Sequence, residues 1–90
     1  MNNKSEIIEK VKSYIIKSSF SQKEDIQDDT LIFENSILDS MGFLFLIDFL
    51  KENFAVEIED ADLVDDNFKS INNITDFLLK KLEEKKLRTA

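Results

Sequence analysis

The sequence predicts an all-α fold, a small helical bundle, on three observations. Apolar residues recur at helical spacing in three separate stretches. Pro is absent and Gly42 is the only glycine, so turns and helix stops rely on Asn, Asp and Ser, and the dominant signal is helical. Residues that cap helices (Asn3, Asp39 and Ser70) stand just before each of them. With 90 residues, the chain is expected to form one domain over 1–90 around a single, modestly stable core.

The first helix is predicted over about 5–18. Ile7, Ile8, Val11, Tyr14 and Ile15 form its stripe, and Asn3 followed by Glu6 has the spacing of a capping box. Residues 19–39 lack helical periodicity. Phe20, Ile26, Leu31, Phe33, Ile37 and Leu38 are scattered along them, which predicts a long connection pinned across the core. A missed short helix near Gln22 to Asp28 is the alternative. The clearest helix runs over about 40–54. At roughly 100° per residue, Phe43, Leu46, Ile47, Leu50 and Phe54 share the core-facing arc. Met41 and Phe45 fall opposite, beside Asp48 and Glu52, with Leu44 at the edge. That second apolar patch either packs under the connection or docks a partner. Residues 55–62 read as extended, with Val56 and Ile58 alternating with Glu57 and Glu59. A short helical turn around Leu63 and Val64 is predicted within 60–68. The last helix, over about 71–87, carries Ile71, Ile74, Leu78 and Leu82. Its Lys80, Lys81, Lys85, Lys86 and Arg88 suit the negative end of the helix dipole.

Composition narrows the chemistry. The chain has no Cys and no His. It therefore offers no thiolate, no soft metal site and no imidazole base, and any thiol must be attached from outside. Residues 24–66 hold fourteen acids against Lys51 alone, a net of −13. Phosphate binding needs a basic face, so nucleic acid is not an expected partner. Basic docking patches are, although such acids commonly do no more than keep a protein soluble. The longest apolar run, Phe43 to Ile47, is too short to span a bilayer, so no membrane insertion is expected. The first residues lack the apolar core of a signal peptide, and a cytoplasmic monomer is the expectation. A calcium loop starting at Asp60 would need Gly sixth and Glu twelfth but finds Asp65 and Ile71. No metal site is expected. An autonomous carboxylate enzyme is the weakest reading, because so small a helical domain has little room for a cleft.

One segment carries chemistry: Leu38-Asp39-Ser40-Met41-Gly42. Ser40 is predicted at the first helical position, so a phosphate on its hydroxyl would lie near free backbone N–H groups and the positive end of the helix dipole. Gly42 is expected to leave room beside that attachment point, and Asp39 to help a modifying enzyme align the hydroxyl. Taken alone, Asp-Ser before an apolar helix is ordinarily a simple cap. The surrounding residues add to it. Thr30-Leu31 and Glu34-Asn35-Ser36-Ile37-Leu38-Asp39-Ser40-Met41-Gly42 resemble the loop-to-helix stretch of the acyl carrier protein family. Phe54-Ala55-Val56-Glu57-Ile58 and Asp66-Asn67-Phe68-Lys69-Ser70-Ile71 resemble that family's later segments.

The resemblance implies a four-helix bundle of acyl-carrier type, with three longer helices, one short one and a long loop between the first two. It implies a non-catalytic protein carrying an acyl or aminoacyl group as a thioester on 4′-phosphopantetheine joined to Ser40. Asp39, Met41 and Gly42 complete the motif. The implied partners are a phosphopantetheinyl transferase, an acyl-adenylate ligase or acyltransferase, and downstream acyl-accepting enzymes of fatty-acid, polyketide or related biosynthesis. Met41 and Phe45 are the expected apolar anchors for them, and Asp48, Glu52 and Asp60 the steering charges. The family often has glycine where Ser36 and Ala55 stand, and neighbouring Asn35 and Asn53 are expected to ease those turns. Gly42 and Phe45 stand where many fatty-acid carriers have acids, which favours a stand-alone carrier with a dedicated ligase. The competing reading is an unmodified acidic helical interaction module.

Overall fold

Helices form where the periodicity places them, and their caps are visible at atomic detail. The computed structural model describes residues 3–19, 26–35 and 37–89. Helix α1 spans Lys4–Ser19. Asn3 starts it, its side-chain oxygen accepting from the Glu6 N–H at 2.9 Å and its carbonyl from the Ile7 N–H. Helix α2 spans Ser40–Phe54, α3 Asp65–Phe68 and α4 Ile71–Thr89. A 3-10 turn, Asp60–Asp62, precedes α3. Three long helices, one short one and no strand among the described residues make this an all-α bundle of acyl-carrier type.

Each long helix sends one stripe inward. Ile7, Val11 and Ile15 from α1 meet Leu46, Ile47, Leu50 and Phe54 from α2, and Ile71, Ile74, Phe77 and Leu78 from α4. Burying each such side chain contributes roughly 1.5–3 kcal/mol before chain entropy is counted. Helix α1 packs against both α2 and α4, and α3 against α4. Tyr14 of α1 stacks on Phe49 of α2 with ring centroids 4.2 Å apart. Phe49 is a packing residue that helical spacing alone did not single out.

The described part of the connection crosses the core as expected. Ile26, Ile32 and Leu38 are buried, with Phe33 and Ile37 half-buried against the same cluster. Its backbone is bonded to the junction of α3 and α4. The Ile32 N–H donates to the Lys69 carbonyl at 2.8 Å, and the Asn72 N–H to the Asp28 carbonyl at 2.9 Å. Phe20, Ser36 and most of the alternative Gln22–Asp28 helix lie outside the described residues. Residues 26–28 are not helical.

Two local expectations need correction. The turn around Leu63 and Val64 is not helical; those residues are exposed and separate the 3-10 turn from α3. Asp62 closes the earlier turn: its carboxylate accepts from the Glu59 N–H at 2.9 Å and pairs with Lys81 of α4 at 2.8 Å. At the end of α2 Asn53 does not take the place of the missing glycine, while the Ser36 turn that Asn35 was expected to ease lies outside the described residues. Asn53 donates to the Phe49 carbonyl and Asn35 to the Leu31 carbonyl. Ala55 itself adopts the left-handed conformation, φ 52° and ψ 43°, a region unfavourable to any residue with a Cβ. Lys85 donates to the Ala55 carbonyl at 2.9 Å. Beyond it Val56 and Ile58 are buried and Glu57 and Glu59 exposed. The alternation read from the sequence is therefore a core-crossing extended segment rather than a strand.

Candidate functional site at the start of helix α2

Asp39 sets the site. Its backbone is extended, φ −94° and ψ −172°, so the helix begins with Ser40. Its Oδ1 accepts from the Gly42 N–H at 2.7 Å, and its carbonyl from the Phe43 N–H at 2.9 Å. The side chain thus satisfies one of the N–H groups that a helix start leaves without an intrahelical partner. Ser40, at the first position, is exposed. The Ser40 and Met41 N–H groups have no preceding turn to bond to, and the helix dipole adds partial positive charge there.

Gly42 does not leave open space. A Cβ at that position would stand 3.1 Å from Leu38 Cδ2 and 3.3 Å from Asp39 Oδ1. The glycine lets the buried Leu38 and the capping carboxylate close on the first turn. It shapes the site by packing rather than by vacancy.

The outward arc of α2 is apolar where it follows Ser40. Met41, Leu44 and Phe45 are 59%, 55% and 56% exposed, so Met41 and Phe45 are not buried under the described part of the connection. Asp48 and Glu52, also exposed, continue the arc toward the C-terminus of the helix. The structure thereby brings Ser40, Met41, Phe45, Asp48 and Glu52 onto one surface. Asp60 is exposed too but stands on a separate element, the 3-10 turn. Leu44, Leu63 and Val64 were not assigned to the site from the sequence, although each is an exposed large apolar residue. For Leu44 the signal was present, since roughly 100° per residue places it 40° from Ser40. For Leu63 and Val64 it was masked by the expected helical turn. Among the described residues, no group of three or more Asp, Glu, His or Cys is placed to hold a metal ion. No helix among them is long and apolar enough to cross a membrane.

The fold is an all-α bundle of acyl-carrier type that caps its most apolar helix with Asp39 and leaves Ser40 exposed at the first position. Comparison with known proteins agrees. The chain is 31% identical over 80 residues to the acyl carrier protein of Thermosynechococcus vestitus, an alignment covering 89% of this chain and 96% of the relative. No family model matches it. The chain belongs to the acyl carrier protein family, whose members carry acyl groups for other enzymes rather than catalyse reactions.

Proposed function

We propose that this protein is a single-domain acyl or aminoacyl carrier whose cargo is held on 4′-phosphopantetheine attached to Ser40. The observation that carries this reading is the exposed Ser40 hydroxyl at the first position of α2, in a chain of this family. Asp39 holds the first turn in register, and the free N–H groups of Ser40 and Met41 suit a phosphodiester oxygen. In the attachment step the Ser40 oxygen bonds to a phosphorus of coenzyme A's pyrophosphate. The P–O bond to the adenosine half breaks, and the hydroxyl proton passes to a base of the transferase. The arm, once attached, supplies the thiol that this Cys-free chain lacks.

Loading and receiving enzymes would dock on the outward arc of α2. Met41 and Phe45 are the proposed apolar anchors, because large exposed apolar side chains gain most from a partner's pocket. Asp48, Glu52 and Asp60 are the proposed steering charges for basic partners. A dedicated acyl-adenylate ligase fits this surface better than a partner reading acids along the whole helix, since Gly42, Phe45 and Lys51 carry no negative charge. An unmodified interaction module could use the same arc, and one experiment separates the two. Incubated with coenzyme A and a phosphopantetheinyl transferase, the wild type should gain the mass of one phosphopantetheine by intact-mass spectrometry. Ser40→Ala should gain none while keeping its melting temperature. A wild type that stays unmodified with a transferase of proven broad activity, or an alanine variant that still gains the arm, overturns the assignment.

A further inference from the structure

A group tethered to Ser40 has two places to go, inward between the helices or outward along α2. On the inward side, aromatic rings pack against the start of α2. Phe43, one turn after Ser40 on the core-facing side, meets Phe33 of the connection edge-to-face at 5.4 Å between centroids. It meets Phe68 of α3 in the same manner at 5.2 Å. Phe68 in turn contacts Phe77 of α4 at 5.2 Å. The series joins the connection, α2, α3 and α4 on the inward side of the first turn of α2. On the other flank, buried Leu38 lies against Gly42, 3.1 Å from where a Cβ would be.

Resting on the carrier reading, we infer that this aromatic series closes the core to cargo, and that the protein carries short or polar acyl groups, aminoacyl groups included, held outside the helices. Aliphatic side chains can open a channel through small rotamer changes. A ring wedged edge-to-face between two others cannot, because moving Phe43 breaks both contacts and the close packing around them. A long alkyl chain would therefore stay outside, wetted along much of its length on the open arc of Met41, Leu44 and Phe45, which is unfavourable in proportion to its apolar area. A short or polar group loses little by remaining there.

The test loads the full chain from acetyl- and octanoyl-coenzyme A with a phosphopantetheinyl transferase. Intact mass confirms loading, and the rate of thioester cleavage by hydroxylamine is then followed. Each rate is referred to that of the same acyl-coenzyme A. A cargo outside the core should be cleaved within about twofold of its free counterpart for both chain lengths, because water and reagent reach it. Octanoyl cargo protected by about tenfold or more, with acetyl cargo unprotected, would overturn the inference. The variant Phe43→Ala should acquire protection for octanoyl cargo; if it folds, as its amide NMR spectrum will show, and gains none, the ring is not the barrier and the inference fails. Phe43→Leu provides the same test where alanine unfolds the protein. Failure to load either donor would overturn the carrier reading itself, a different result from unequal protection.

Discussion

The outward arc of α2 and the corner formed by the 3-10 turn, α3 and α4 are both exposed and rich in acids, yet they are built in opposite ways. On the arc, Met41, Leu44 and Phe45 are more than half exposed. In the corner, polar groups bond to one another across elements. Asp62 takes the Glu59 N–H and Lys81, and Asn67 donates to the Asp62 carbonyl at 2.8 Å. Asn73 donates to the Asp66 carbonyl at 3.0 Å, while the Ser70 hydroxyl donates to Asn73 Oδ1 at 2.6 Å. Acidic composition therefore means two things in one chain. Asp62 holds the fold together. Asp48 and Glu52 face outward on the arc, where a partner could read them.

The largest expected effect comes from the two faces of α2 itself. Leu50 is fully buried and Phe45 is 56% exposed. Leu50→Ala should cost about 2–5 kcal/mol, since it leaves a cavity in a packed core. Phe45→Ala should change stability by less than about 0.5 kcal/mol, as surface substitutions usually do. It should nevertheless slow loading by the cognate ligase about tenfold if it anchors that enzyme, a loss of ~1.4 kcal/mol in transition-state binding. Denaturant melts and loading rates check both. If Phe45→Ala were as destabilising as Leu50→Ala, the arc would be core and the division of α2 into two faces would fail.

The corner should show its character through pH. The hydrogen bond from Lys81, followed by that from the Glu59 N–H, holds the Asp62 carboxyl below its ordinary value of 3.8. The hydrogen bond to Asp62 holds the Lys81 ammonium above its ordinary 10.5. Asp62 thus contributes stability above its ordinary value, and loses it as the pH falls through the lower folded value. Lys81 contributes fully below its ordinary value, and loses it as the pH rises through the higher folded one. The pair is partly buried, with side chains 19% and 22% exposed, so Lys81→Met should cost about 1 kcal/mol at neutral pH. That difference from wild type should shrink at acid pH, once Asp62 is protonated, and again in strong alkali. The corresponding charge removal on the arc, Asp48→Asn, should change stability by less than about 0.5 kcal/mol at neutral pH, as surface substitutions usually do. Thermal melts of both variants would expose a false contrast if the two behaved alike.

The long helices and Ser40's position were legible in the sequence because a periodicity and a cap act within a few residues. Asp39, Ser40 and the Leu46–Leu50 stripe need no knowledge of distant segments. What was not legible depends on contacts between elements. Phe49 and Phe77 are placed by Tyr14 and Phe68, and Asp62 of the 3-10 turn is held by Lys81, far along the chain. Gly42 illustrates the same limit. Its smallness was evident, but only the structure shows that Leu38 and the Asp39 carboxylate fill the space it provides.

The smallest effect concerns the backbone between the two regions. Ala55 ends α2 and begins the segment that leads to the corner, and it does so in the left-handed region, φ 52°. A Cβ there crowds the following carbonyl, at a cost of roughly 1–2 kcal/mol that glycine avoids. Glycine in turn loses more conformational entropy on folding, which returns part of the gain. Ala55→Gly should therefore stabilise the protein by a net of about 0.5–1 kcal/mol, read as a higher denaturation midpoint with an unchanged slope. The control is Ala61→Gly in the 3-10 turn, where φ is not positive; it should destabilise or leave stability unchanged. Stabilisation by both would attribute the gain to something other than the left-handed turn. Stabilisation by Ala55→Gly alone would show that a helix can end without glycine when the neighbouring core residues, Phe54 and Val56, hold the chain in place on either side.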